Sequence, residues 1–299
     1  MKAHDFGQFL LNSSVFDEAQ LIELISSAKN VKPTFATTAI FLRLVSVAEM
    51  VKVFGHSKII ETENVKDFFR SHDEVTQEKY DEIVRKFLNP HKLKSVSRAA
   101  EDNSVQLAQI LIDGEKISFS DFEKILEDYH REEIPPVEKI FGNIYNSLHS
   151  TKKIDYPPAL DVAVQFHKFL SEEFKTTVIF SPTAPNFNEE LFGASVKING
   201  DIPVVVGVLA EKKILHKLAN SYDKFVSEDI EEDFDAVAEM LNVFTGNFTV
   251  KVATTSGIEE ELYPPRFGQL NFELETLITV FADVGRFYLY IGAEEIFKI

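Results

Sequence analysis

Four residues in one stretch have types and spacing that could do chemistry: Asp235, Glu239, Asn242 and Gly246, within the run Glu232 to Asn247. On a helix that turns about 100° per residue they share one ridge. Phe234, Val237, Ala238, Leu241 and Phe244 fall on a stripe roughly 150° away. The stripe must face a core and the ridge must face water. A carboxylate only accepts hydrogen bonds, whereas a carboxamide donates through its NH₂ and accepts through its oxygen, so an amide can orient a water molecule. On pattern alone an acidic outer helix face is also simply a solvated one. Asn242 is the odd member, because Lys, Glu or Gln would serve an exposed helix better. Gly246 is less favourable still inside a helix, unless it caps the end.

The elements around the ridge define its setting. The run Glu228-Asp229-Ile230-Glu231-Glu232-Asp233 suits a helix N-terminus, where negative charge complements the macrodipole. The pattern predicts helices over Ala159–Phe174, Glu211–Asn220 and Ile230–Gly246. It predicts strands over Thr177–Phe180, Leu191–Ile198, Pro203–Ala210, Phe248–Thr254, Leu277–Ala282 and Phe287–Ile291. Asp283-Val284-Gly285-Arg286 reads as a hairpin turn between the last two, and Glu259-Glu260-Glu261 reads as a solvated loop. Short connections imply antiparallel pairing. This half is therefore expected to be α+β, with helices packed on an antiparallel sheet.

The first half reads as all-helical. Apolar residues recur at helical intervals in Phe6–Leu10, Leu21–Ile25 and Tyr80–Leu88. Gly7–Asn12 and Ala108–Asp113 look related, and an amphipathic helix follows each, at Leu21–Ile25 and Phe122–Leu126. Two related helix-pair units are expected. The joint is expected near Ser147–Pro158, where Tyr156-Pro157-Pro158 stops a helix. Pro135-Pro136 marks an earlier break. The expected domains are residues 1–150 and 155–299.

Composition removes several classes of function. The chain has 299 residues and a formal net charge of -17, which disfavours nucleic acid and anionic lipid as partners. It has no cysteine, so disulfides, thiolate metal sites and a cysteine nucleophile are excluded. No HExxH, Walker A, GxGxxG or GxSxG motif occurs. The eight histidines are scattered. His167, on an otherwise apolar helix, reads as a core or rim residue. No run approaches the roughly 18 apolar residues of a membrane span, and the start lacks the apolar stretch of a signal peptide. A cytoplasmic protein without membrane insertion is the expectation.

The ridge resembles the CheC, CheX and FliY-type chemotaxis phosphatases. That family carries an acidic or Ser residue, three others, Glu, two others and Asn on one helix, often followed by Gly. Asp235, Glu239, Asn242 and Gly246 stand at that spacing. The order of elements also matches, with a strand at Val204–Leu209 and a short helix with Ile214, Leu215 and Leu218 before the motif. Tyr263-Pro264-Pro265-Arg266-Phe267-Gly268 after it is similar to the family's Pro-Pro segment. The resemblance covers Ala159 to Ile299, and its single motif suits the CheX branch. It implies a hydrolase acting on the aspartyl phosphate of response-regulator receiver domains (CheY-like) in bacterial two-component signalling. Asn242 would then orient the attacking water, and Glu239 would anchor on the receiver's Lys. Asp235 and Gly246 would support partner binding. This chain would bind no metal or cofactor of its own, Mg²⁺ arriving with the receiver. Some relatives pair through a sheet edge, which leaves a homodimer open. The alternative is a non-catalytic module that binds receivers or other signalling partners.

The helical half is similar to the N-terminal domain of type II secretion and pilus ATPases, some of which bind cyclic di-GMP. Asp5-Phe6-Gly7 stands where that family has Arg-Leu-Gly, and Lys29 lies near its expected Gln. A packing scaffold or partner-binding module is the plainer reading of such helix pairs.

Overall fold

A computed structural model describes residues 6–29, 31–46, 49, 90–99, 102–113, 119–131, 137–147, 156–181, 190–200, 203–223, 229–257, 260–271, 274 and 277–297. The chain divides into two compact units, Met1–Ile134 and Pro135–Ile299.

The first unit is helical among its described residues: α1 (Phe6–Asn12), α2 (Glu18–Ala28), α3 (Phe35–Phe41), α4 (Pro90–Ala99), α5 (Asn103–Asp113) and α6 (Phe119–Arg131). Both expected helix pairs are present, as α1–α2 and α5–α6. The helical stretch expected at Tyr80–Leu88 lies outside the described residues. α2 starts on a reciprocal cap: Asp17 accepts from the Gln20 amide, and the Gln20 side chain accepts from the Asp17 amide. Phe6, Phe9, Phe41 and Tyr129 form the core's ring cluster, with Phe6 and Tyr129 edge to face at 4.8 Å. Phe6 and Gly7, which stand where the ATPase family has Leu-Gly of its Arg-Leu-Gly opening, are both buried, and Asp5 lies outside the described residues.

The second unit begins with α7 (Val137–Ser147) and α8 (Tyr156–Glu173). Then follow β1 (Ile179–Ser181), β2 (Phe192–Asn199), β3 (Val204–Ala210), α9 (Lys212–Asp223) and α10 (Ile230–Ser256). β4 (Glu261–Leu262), β5 (Arg266–Gln269), β6 (Leu277–Ala282) and β7 (Gly285–Gly292) complete it. The fold class of this unit is α+β. All pairings are antiparallel, in the order β1-β6-β7-β3-β2-β4, with β5 also on β2. The β6–β7 hairpin turns through Asp283 and Val284, and Gly285 closes it at φ 125°. The compact unit thus starts at the earlier proline pair. The joint expected near Ser147–Pro158 falls largely outside the described residues, while α7 before it packs in the second core through Phe141, Ile144 and Tyr145.

The sheet is buried on both faces. Val204, Val206 and Val208 of β3, with Phe287, Leu289 and Ile291 of β7, meet the helices. Val205, Leu209, Tyr288 and Tyr290 point the other way, against Leu191, Leu274, Ile296 and Phe297. A strand covered on both sides needs no polar alternation, which is why β3 reads as an unbroken apolar run. Gly193 of β2 is obligatory, because a Cβ there would meet the Val208 carbonyl oxygen at 1.9 Å.

His167 sits on α8 as expected. Its Nε2 donates to the Val178 carbonyl at 2.8 Å, and its ring packs edge-on to Phe180. Burial holds its pKa below the usual 6.5, against the Val178 bond and the Glu138 carboxylate, which favour the charged form. The folded pKa is depressed, so the unfolded chain takes up the proton first. Stability from the neutral ring is complete above pH 6.5 and is lost as pH falls below it. Urea midpoints measured from neutral pH down to about pH 5 are expected to fall for the wild type. His167→Gln, which keeps a donor, is expected to fall less.

Candidate functional site

The ridge is carried by α10, which runs 27 residues. Asp229 caps it, its carboxylate accepting from the Glu231 and Glu232 amides at 2.9 and 3.0 Å. Glu231, Glu232 and Asp233 put negative charge in its first turn. Phe234, Val237, Ala238, Leu241 and Phe244 are all buried. Phe244 meets Phe166 and Phe169 of α8, at 5.1 and 5.6 Å between ring centres.

The expected end of this helix is corrected. Gly246 does not cap it, and Phe248–Thr254 is not a strand. α10 continues to Ser256, where Gly257 at φ 71° closes it and its amide donates to the Ala253 carbonyl. The β-formers in this stretch are accommodated by back-bonding. Thr245 donates to the Leu241 carbonyl, Thr249 to that of Gly246, Thr254 to that of Val250 and Thr255 to that of Lys251.

Asp235 and Glu239 are exposed, and Asn242 and Gly246 are half-buried, all on the outer face. Glu239 lies about 6 Å beyond Asp235 along the axis and Asn242 about 4.5 Å further. Among the described residues no ion pair engages Asp235 or Glu239, and no hydrogen bond engages the Asn242 amide. The four residues singled out in the sequence thus share one accessible line.

Beside them lies a groove of about 350 Å³ between α9 and α10, lined by Tyr222 and Asp223 on one side and Glu232, Asp235 and Glu239 on the other. Tyr222 was not legible as a site residue. Its phenol is pushed above the usual 10.0, first by burial and then by the Glu239, Glu173 and Asp223 carboxylates. The field in this groove therefore favours cations. Among the described residues no three potential ligands are placed to hold a metal ion.

A second unforeseen set fixes α9 against α10. Asp233 is buried, and its carboxylate accepts from His216 Nδ1 at 3.0 Å. The Asn220 side-chain amide lies within hydrogen-bond distance of His216 Nε2, at 3.0 Å. This bridge and Phe244 tie the helix to α9 and α8 on the side away from its ridge.

No described helix is long and apolar enough to cross a membrane. No protein-family model and no curated protein matches the chain. Solved structures do. The chemotaxis protein CheX from Desulfovibrio desulfuricans is similar at 17% identity, over 46% of this chain and 98% of that one, with a TM-score of 0.36. CheX in the CheX-CheY-BeF3-Mg complex from Borrelia burgdorferi is similar at 16% identity, over 48% and 100% of the two chains, with a TM-score of 0.36. FliY from Thermotoga maritima is similar at 16% identity, over 55% and 94%, with a TM-score of 0.33. The expected likeness of the first unit to secretion and pilus ATPases finds no support in these comparisons.

Proposed function

We propose that the second unit hydrolyses the aspartyl phosphate of response-regulator receiver domains. One observation carries the reading: Glu239, exposed, and Asn242, half-buried, stand about one turn apart on the outer face of one helix, and neither side chain makes an ion pair or hydrogen bond among the described residues. The sequence resemblance supplies the substrate class. The Borrelia burgdorferi CheX is crystallised with CheY, BeF3 and Mg, and the partner proposed here is of that kind.

The chemistry needs little from this chain. A receiver holds its own acyl phosphate, divalent ion and Lys, and lacks only a water held in line with phosphorus. The Asn242 amide donates to one side of that water and accepts from the other. The water oxygen bonds to phosphorus as the bond from phosphorus to the aspartyl oxygen breaks. The products are a free receiver carboxylate, inorganic phosphate and a proton released to solvent. Glu239 takes the receiver's ammonium as an ion pair and fixes the amide's position. Asp235 adds negative potential beside it. No residue of this chain becomes covalent.

The test is the decay of a phosphorylated receiver with and without the protein. Acceleration at catalytic amounts supports the proposal, while an unchanged half-life across receivers that bind leaves only the non-catalytic binding module. Glu239→Gln keeps the shape and removes the charge. It is expected to raise KM by about tenfold or more, the usual cost of losing one side of a charged hydrogen bond, with a smaller change in kcat. A titration of initial rates against receiver concentration checks this.

A further inference from the structure

The ridge changes character past Asn242. Val243, Gly246, Val250 and Ala253 continue the same face, all within about 60° of Glu239 around the axis. Val243 is 36% exposed and Val250 67%. Gly246 lies between them, and a Cβ built on it meets nothing nearer than Leu262 Cδ1 at 4.0 Å. Internal packing therefore does not demand a glycine there, although glycine is among the least favoured residues in a helix interior. One half of the face is acidic; the other carries the exposed Val243 and Val250 beside the half-buried Gly246 and Ala253, with Thr254 at its edge.

We infer that this half of α10, from Val243 to Ala253, is the seat for the body of the receiver domain, which meets it with an apolar surface while a cationic surface covers Glu232, Asp235 and Glu239. The inference rests on the proposed function and adds the source of affinity and selectivity. Size carries the argument. A specific interface covers about 800 Å² on each partner, a patch of about 16 Å radius. Val250 is about 12 Å from Asn242 along the axis, on the same face. A partner that brings an acyl phosphate to Asn242 therefore covers Val250 as well. The difference between an acidic half and an uncharged, largely apolar half fixes which way round the partner sits. The missing Cβ at Gly246 lets the partner's atoms approach the helix backbone at the centre of the seat.

Three full-length variants test this: Val250→Asp, Val243→Asp and Gly246→Ala, with a panel of receiver domains activated by beryllofluoride and Mg²⁺ as the probe. Affinity is read by titration, and turnover of the aspartyl phosphate is read separately at saturating receiver. Val250→Asp and Val243→Asp place a charge in a dry contact and are expected to weaken binding by about tenfold or more. Gly246→Ala is expected to raise Tm yet weaken binding, two opposite signs that a merely structural glycine does not give. Wild-type affinity in Val250→Asp overturns the inference while leaving the phosphatase intact. A wild type that binds without accelerating decay sinks the phosphatase, and the affinity comparison still decides the seat. Self-association that Val250→Asp abolishes, with receiver affinity unchanged, assigns the strip to a second copy and overturns the inference. Failure of every receiver to bind overturns both.

Discussion

Asn242→Ala is expected to slow receiver dephosphorylation by about 100-fold, the usual effect of losing one positioning contact on a reacting group, with receiver affinity nearly unchanged. The reason lies in how little else the ridge offers the water. The nearest acids are Glu239 and Asp235, and carboxylates cannot donate to it. Truncation does not disturb the helix, because the Asn242 side chain makes no hydrogen bond among the described residues, and alanine is the better helix former. A loss of rate is then a loss of chemistry, not of fold. Single-turnover decay of the phosphorylated receiver measures it, with circular dichroism as the control. Asn242→Asp is expected to be nearly as slow, since it keeps the size and removes both donors. A rate within about twofold of wild type for Asn242→Ala would end the catalytic reading.

The second large effect concerns stability. Phe141→Ala is expected to cost the second unit about 3–5 kcal/mol, the range for emptying a buried aromatic site. Phe141 is fully buried, lies 5.2 Å from the Tyr145 ring and 6.2 Å from the Phe180 ring, and joins α7 to the sheet's helix-covered core. Removing all of α7 also strips Ile140, Ile144 and Tyr145 from that core. A fragment of residues 135–299 is therefore expected to unfold in one cooperative urea transition, and one of residues 155–299 is expected to lose it. A Phe141→Ala change below about 1 kcal/mol, in the range of ordinary surface substitutions, would detach α7 from the unit.

The sequence made parts of this fold legible and hid others, for identifiable reasons. The stripe from Phe234 to Phe244 and the ridge opposite it follow from helical periodicity alone, and both stand where the pattern puts them. The strands β2, β3, β6 and β7 were also legible, as apolar runs between turn residues. The far half of α10 was not. Thr249, Val250, Val252 and Thr254 favour strands by propensity, and the packing of Val252 and Phe248 against the core overrides that preference. Stopping that helix at Gly246 also hid Val250, which shares the face of Glu239 and Asn242 only if the turns continue. β4 and β5 hold two and four residues, too few to show alternation. α7 looks like the helices before it, and which core receives it is a non-local fact. Tyr222 and the His216–Asp233 bridge arise where α9 meets α10, and spacing within either helix does not announce them.

One consequence of the 27-residue span of α10 remains. With no proline, bulge or break along about 40 Å, the rod has no joint between its two ends. Under the proposed function it serves as a depth gauge: whatever comes to rest on the far half decides how far the Asn242 amide reaches into the visitor's pocket. On that proposal recognition and reaction are ruled off on a single stick, and a substitution that shifts the resting height by an ångström should be felt in the rate without touching either polar residue.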